Sequence, residues 1–358
     1  MNKKLPLCSF FLYSLLIYLK KMDSLTQIVL GGAVGNALLG RKLKNKAVLY
    51  GAIAGTIPDL DVLAVFFTDP ISALEFHRGL THSILFAIFG AFFFGYLLYA
   101  LEKKRGVTYE ESCWFFFWGL FTHALLDVFT TWGTRVLWPM EYPFAFKSIF
   151  VVDPLYTLPF AFFLLWSMRE KIDLDRRMRL NRWGLYCSSA YLGLTLLLKA
   201  LAFYSFTEAL DQQHTSYKAM SVKPTALNTI LWTAIVETDD AFLIGEYSFF
   251  SEEPIVFQTY PKNHHLIGGL EKHDLIMRLV HISEGYYTFT EKNNDFYFND
   301  LRFGVLREQG DEVQFAFSYK FYIDEEGELR VKEVEKDKRD GVKLLKSIWR
   351  KIWGLKED

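Results

Sequence analysis

Six stretches of this chain, roughly 25 to 40, 47 to 67, 80 to 101, 112 to 129, 149 to 168 and 183 to 204, are apolar and close to the length that crosses a bilayer. Lipid offers no hydrogen bonds to a backbone, so a chain with such runs is committed to a helical bundle before any motif is considered. The first run is short, but Gly31, Gly32, Ala33 and Gly35 suit close packing between helices. Residues 5 to 19 form one more apolar run, flanked by Lys3, Lys4, Lys20 and Lys21. It reads as a signal sequence, a short anchor, or an extension upstream of a true start at Met22. The last fits best, because the run is short for a span and lacks a clear small-residue cleavage site. Six or seven spans are expected.

Positive residues mark the cytoplasmic side of a membrane. Arg41, Lys42, Lys44 and Lys46 fill one loop; Lys103, Lys104 and Arg105 fill another; Arg169, Lys171, Arg176, Arg177, Arg179 and Arg182 fill a third. The intervening loops, about 69 to 78 and 130 to 148, hold only Arg78, Arg135 and Lys147. This pattern puts the three basic loops inside and everything after residue 205 outside. That last region alternates in the manner of strands: Val313, Phe315, Phe317, Tyr319, Phe321 and Ile323 share one face, and Asp324 to Gly327 offers a turn. Further strands fit 228 to 238, 241 to 250 and 254 to 260, with a hairpin over 284 to 299 turning at Lys292, Asn293 and Asn294. A closing helix near 340 to 354 places Leu345, Ile348, Trp349 and Ile352 opposite Lys346, Arg350 and Lys351. It can lie on a membrane or pack on the sheet, and sheet packing is the commoner use of such a helix. The expected fold is therefore mainly α, a polytopic helix bundle over 22–205 followed by a small, mainly β extracytoplasmic domain over 206–358, with residues 1–21 as an N-terminal extension or anchor.

A net charge of -1 gives no basic surplus for displacing counterions from phosphates, which excludes nucleic acid as a partner. Cys8, Cys113 and Cys187 stand apart in apolar surroundings, without the paired spacing of a zinc ribbon or redox motif.

Ionisable groups inside membrane spans are costly unless paired or functional. Asp59 and Asp61 follow Pro58, which ends a helix by lacking an amide hydrogen. His123 and Asp127 are four apart and project from one helical face, where they can grip one ion or hydrogen-bond to each other. His77 and His82 flank Gly79, where the chain can turn and bring a loop imidazole towards one in the first turn of a helix. Asp153 precedes Pro154 and reads as an N-cap, a ligand or a base; Asp23, with Gln27, opens the first helix. With the basic loops inside, all five clusters fall in the outer half of the bundle. That convergence favours a shared metal site with Asp59, Asp61, His77, His82, His123 and Asp127 as ligands, and Asp61 and Asp153 as candidates for proton transfer. Imidazole and carboxylate without thiolate suit a divalent metal, zinc first, with manganese or iron as alternatives. Such a site performs hydrolysis most simply.

Met22-Asp23-Ser24-Leu25-Thr26-Gln27, Pro58-Asp59-Leu60-Asp61, His77-Arg78-Gly79-Leu80-Thr81-His82-Ser83 and Thr122-His123-Ala124-Leu125-Leu126-Asp127 together resemble the bacterial YdjM-like family of inner-membrane proteins, described as membrane-bound metal-dependent hydrolases. The resemblance covers about 22 to 165 and implies a plasma-membrane hydrolase; many members carry His where Gln27 stands. The His123 to Asp127 element is also similar to that of zinc-dependent phospholipases C and S1/P1-type nucleases, which favours phosphoesters. The expected partners are the lipid bilayer and a lipid or phosphoester substrate. Two other classes fit the same residues: a non-catalytic scaffold with a structural metal, and an ion-handling protein. The latter needs polar residues continuing to the cytoplasmic side, where few occur. No Gly-x-Ser-x-Gly elbow or Gly-x-x-x-x-Gly-Lys phosphate loop is present.

Overall fold

Small residues let the first two helices touch backbone to backbone. In this computed structural model, which describes residues 24–66, 77–169, 171–309, 312–334 and 341–355 with isolated positions between 67 and 76, α1 (Ser24–Leu43) turns at Lys44 into α2 (Asn45–Thr56). The expectations for residues 1–21 and Asp23 lie outside the described residues. Gly31 and Gly35 of α1 face Gly51 and Gly55 of α2 so closely that a Cβ at Gly31 would lie 2.9 Å from the Gly55 Cα, and one at Gly35 2.9 Å from the Gly51 Cα. The α-helical ladder ends where Ile57 N–H donates to the Ile53 carbonyl; Pro58 has no hydrogen to give, and the chain tightens into a 3-10 turn over Pro58–Phe66. The apolar run from 47 to 67 is thus two elements, with Asp59 and Asp61 at the start of the second.

A short 3-10 turn, Leu80–His82, leads into α3 (Ile84–Glu102), whose N-terminus is closed by Ser83 Oγ accepting from Phe86 N–H at 3.1 Å. α4 (Tyr109–Phe129) begins in a capping box of Thr108 and Glu111. α5 (Pro154–Ser167) starts only at Pro154, so the apolar stretch from 149 yields a helix of 14 residues; α6 (Leu174–Gln212) runs for 39. Among the described residues, α3 with its following turn, α4 and α6 are long and apolar enough to cross a membrane, where the sequence suggests six or seven spans. Large side chains stand bare on these helices and on α5, among them Phe89 (69% exposed), Leu101 and Leu158, as surfaces that meet lipid do. One core cluster joins Val29, Ala33 and Val48 to Leu126, Tyr156 and Phe160; another joins Leu39 and Ala47 to Ala91, Leu98 and Phe115.

The chain divides into two compact units, residues 1–198 with 226–229, and 199–225 with 230–358. The second unit holds two antiparallel meanders: β1 (Ala219–Pro224), β2 (Leu231–Glu237), β3 (Ala241–Ser248) and β4 (Phe257–Pro261) in one, then β5 (Tyr287–Lys292), β6 (Asp295–Gln309), β7 (Glu312–Ile323) and β8 (Leu329–Glu333) in the other. Between β5 and β6, Asn293 and Asn294 both take positive φ, the conformation a two-residue hairpin demands. Ile235, Phe242, Ile244 and Tyr260 of the first sheet pack with Leu301 and Phe315 of the second. α7 (Asp274–Ile282) precedes β5. The closing helix α8 (Gly341–Ile352) packs on the first sheet: Ser248 Oγ donates to the Ile352 carbonyl at 2.6 Å, and Lys351 pairs with Glu246 at 2.7 Å.

Candidate metal centre

The place where α2 gives way to its 3-10 turn, the turn ahead of α3 and the C-terminal half of α4 meet at one buried point. His82 and His123 are fully buried there, and their Nε2 atoms face each other at 3.1 Å. Asp59 Oδ1 stands 3.5 Å from His82 Nε2 and 3.4 Å from His123 Nε2; Asp127 Oδ2 stands 3.4 and 4.0 Å from the same atoms. Asp59, His82 and His123 form a group that can hold a metal ion, and Asp127 brings a carboxylate oxygen up as a fourth donor.

The opposite edge of each imidazole decides its tautomer. His123 Nδ1 lies 2.6 Å from the Gly55 carbonyl, which only accepts, so Nδ1 carries the hydrogen. Thr81 spends its hydroxyl proton on Asp61 Oδ2 at 2.7 Å, so its oxygen accepts from His82 Nδ1 at 3.0 Å, and Asp61 Oδ2 itself lies 3.4 Å from that nitrogen. With both rings neutral, both Nε2 atoms are lone pairs aimed at each other at 3.1 Å, an arrangement that a cation between them relieves. Asp127 Oδ2 is buried without a hydrogen-bond partner, although Oδ1 accepts from Gln27 Nε2 at 3.0 Å. Two acceptor nitrogens, an orphaned carboxylate oxygen and a second carboxylate make a donor set that fits a divalent cation. Their separations bracket the roughly 3.3 Å between ligands around a tetrahedral ion with bonds of about 2.0–2.1 Å.

Asp61 and His77 lie one contact further out. Asp61 accepts from Thr81 and from the Arg78 backbone N–H at 3.2 Å, and its Oδ1 meets His77 Nδ1 at 2.8 Å; the His77 side chain is 24% exposed. Asp153 caps α5, accepting from Leu155 and Tyr156 N–H at 2.9 and 3.3 Å, and takes the Tyr191 hydroxyl at 2.9 Å on its other oxygen. Gln27 belongs to the shell around the centre, since Nε2 also reaches the His123 carbonyl at 3.3 Å. Arg78 escaped the sequence reading. A basic residue in a loop normally points to water, yet Arg78 is 9% exposed, adopts φ 60° and puts Nε 3.3 Å from Asp127 Oδ2. Two backbone bonds hold this wall, Arg135 N–H to the Arg78 carbonyl at 3.0 Å and Ile84 N–H to the Val136 carbonyl at 2.9 Å.

The family model for the YdjM inner membrane protein matches residues 22–203, a stretch that contains every residue of this centre. Inner membrane protein YbcI of Escherichia coli (strain K12) is 31% identical over 137 residues, covering 36% of this chain and 77% of that protein. No solved structure matches the chain.

Proposed function

The chain belongs to the YdjM inner membrane protein family, and from that membership and the buried centre we propose that it is a membrane-bound, metal-dependent hydrolase acting on lipid or phosphoester substrates. The observation that carries the reading is the pair of Nε2 atoms facing each other at 3.1 Å with Asp59 and Asp127 alongside. Zinc is the first candidate ion for this set, ahead of manganese or iron. When bound, a divalent cation would supply Lewis acidity and make water a nucleophile near neutral pH.

The residues around it have separable tasks. Asp59, His82, His123 and Asp127 hold the ion. Gly55 and the Thr81–Asp61 pair fix the two ring orientations from behind, as outer partners do for metal-bound histidines. Of the two carboxylates proposed for proton transfer, Asp61 is linked to the centre through His82, whereas the contacts of Asp153 are with the α5 N-terminus and Tyr191. We place the centre in the outer half of a multi-pass bundle of six or seven spans, with the β unit extracytoplasmic; the basic loops support that orientation.

The test is purification in detergent, metal analysis, and an assay against phosphodiesters and lipids beside His82→Ala and Asp127→Ala. The reading expects a bound divalent metal and turnover in the parent, and loss of both in the variants. Metal retained by the parent without any turnover sinks the enzyme and leaves a scaffold.

A further inference from the structure

We propose that Arg78 is the anion receptor of this centre and that it selects a phosphate ester as the substrate, its guanidinium binding one non-bridging phosphoryl oxygen beside the metal. The proposal rests on the metal reading above and adds to it a residue and a substrate class.

Arg78 is nine-tenths buried, and its position is over-determined. The backbone takes the left-handed conformation that side chains disfavour, its N–H donates to Asp61 and its carbonyl accepts from Arg135. NH1 donates to Thr130 Oγ1 at 2.8 Å, and that hydroxyl in turn donates to the Asp127 carbonyl at 2.8 Å. Nε is buried without a hydrogen-bond partner, and NH2 has none among the described residues. A guanidinium held this firmly with donors unspent is prepared for an acceptor that comes and goes.

A purely structural counter-ion looks different, and the same chain contains one. Arg302 donates to Asp300 through Nε at 3.1 and 3.2 Å and through NH2 at 2.8 Å, and to Glu284 through NH1 at 3.2 Å. Its fork is consumed by carboxylates. Arg78, 3.3 Å from Asp127 Oδ2, makes no such fork, and the carboxylate oxygen beside it is itself orphaned. The geometry satisfies neither partner, which is what a site built around two absent groups, a cation and an anion, requires.

Substrate class follows from counting acceptors. A carboxylic ester or amide presents one oxygen to be polarised, and a cation alone serves it. A phosphate mono- or diester presents at least two non-bridging oxygens that share negative charge, one for the cation and one for the planar guanidinium. Hydrolysis then forms one bond from water oxygen to phosphorus and breaks the ester P–O bond, with the departing alkoxide taking a proton that water has given up.

The probe is inorganic phosphate, titrated into the full-length protein in detergent with and without added zinc, with bound metal measured on the same samples. The expected result is equal metal content in the parent, Arg78→Gln and Arg78→Lys, phosphate affinity lowered about tenfold or more in Arg78→Gln, and partial recovery in Arg78→Lys. Metal-loaded parent that ignores phosphate, or binds it as Arg78→Gln does, overturns the receptor and leaves the metal reading intact. Metal lost from Arg78→Gln also overturns it, since Arg78 is then a counter-ion of the ligands. A metal-free parent that still binds phosphate through Arg78 overturns the metal reading instead, and a parent that binds neither overturns both.

Discussion

At the scale of single residues, the carboxylates divide by what their oxygens touch. Asp59→Ala removes an oxygen aimed at both Nε2 atoms, so we expect the metal to leave and, with it, the roughly 2.7 kcal/mol that a ligand at a hundred times its Kd adds to stability. Asp153→Ala removes a helix cap, and we expect full metal content with a loss of about 1 kcal/mol. Metal analysis and thermal unfolding of the two proteins separate these outcomes; equal metal loss in both refutes the division. Asp59, His82, His123 and Asp127 stood out in the sequence because charge in an apolar run demands a reason. Arg78 and Thr81 did not, because a loop cation and a hydroxyl beside a histidine cost nothing until their burial is known. A different residue, His264 in the second unit, stacks on Tyr287 with centroids 5.2 Å apart, and burial first, then Lys262, pushes its pKa below the ordinary imidazole value. The unfolded chain therefore takes up the proton first as pH falls below about 6.5. Its contribution to stability, full above that pH, is lost on the way down to the folded-state value. His264→Phe should flatten the unfolding midpoint between about pH 7.5 and 5.5 relative to the parent; an unchanged slope rejects the assignment.

At the scale of elements, the seam between α1 and α2 is the sharpest constraint. Gly51→Val puts methyl groups where the Gly31 carbonyl and the Gly35 Cα already are, and we expect about 1–3 kcal/mol of destabilisation together with loss of metal, since Gly55 and Gln27 flank the same seam. Gly193→Ala on α6 meets open space and should leave metal content unchanged and stability the same or up to about 1 kcal/mol higher. Stability and metal content of the two variants, measured side by side, check this. The sequence showed the close-packing residues of α1, the break at Pro58 and the strands β2 to β7 of the second unit, because each carries a periodic or steric signature. It concealed β1, whose Ala-Met-Ser-Val-Lys-Pro lacks alternation, and α7, whose nine residues are too few for a helical stripe to stand out. It also overstated the lengths of α2 and α5, since an apolar run continues through a proline or an irregular segment without recording it.

At the scale of the whole molecule, the orientation proposed from loop charge is open to a direct check. A cysteine at Glu325, exposed in the turn between β7 and β8, should react in intact cells with a membrane-impermeant thiol reagent, and one at Lys104, exposed after α3, only after lysis. The reverse pattern inverts the orientation. The helical first region and the strand-built second could be read from the sequence because apolar length and period are local properties. The meeting of three separate segments at one centre could not be measured there, since register between helices is set by packing. Those segments are not equivalent. One side of the centre rests on glycines in backbone contact, where almost any added atom collides; the other is a loop wall carrying Arg78 and Thr130, secured by main-chain bonds that do not depend on side-chain identity. The pocket is thus a vice with one jaw cast in place and one adjustable. Relatives that handle different molecules should differ on the loop jaw and agree on the glycine jaw.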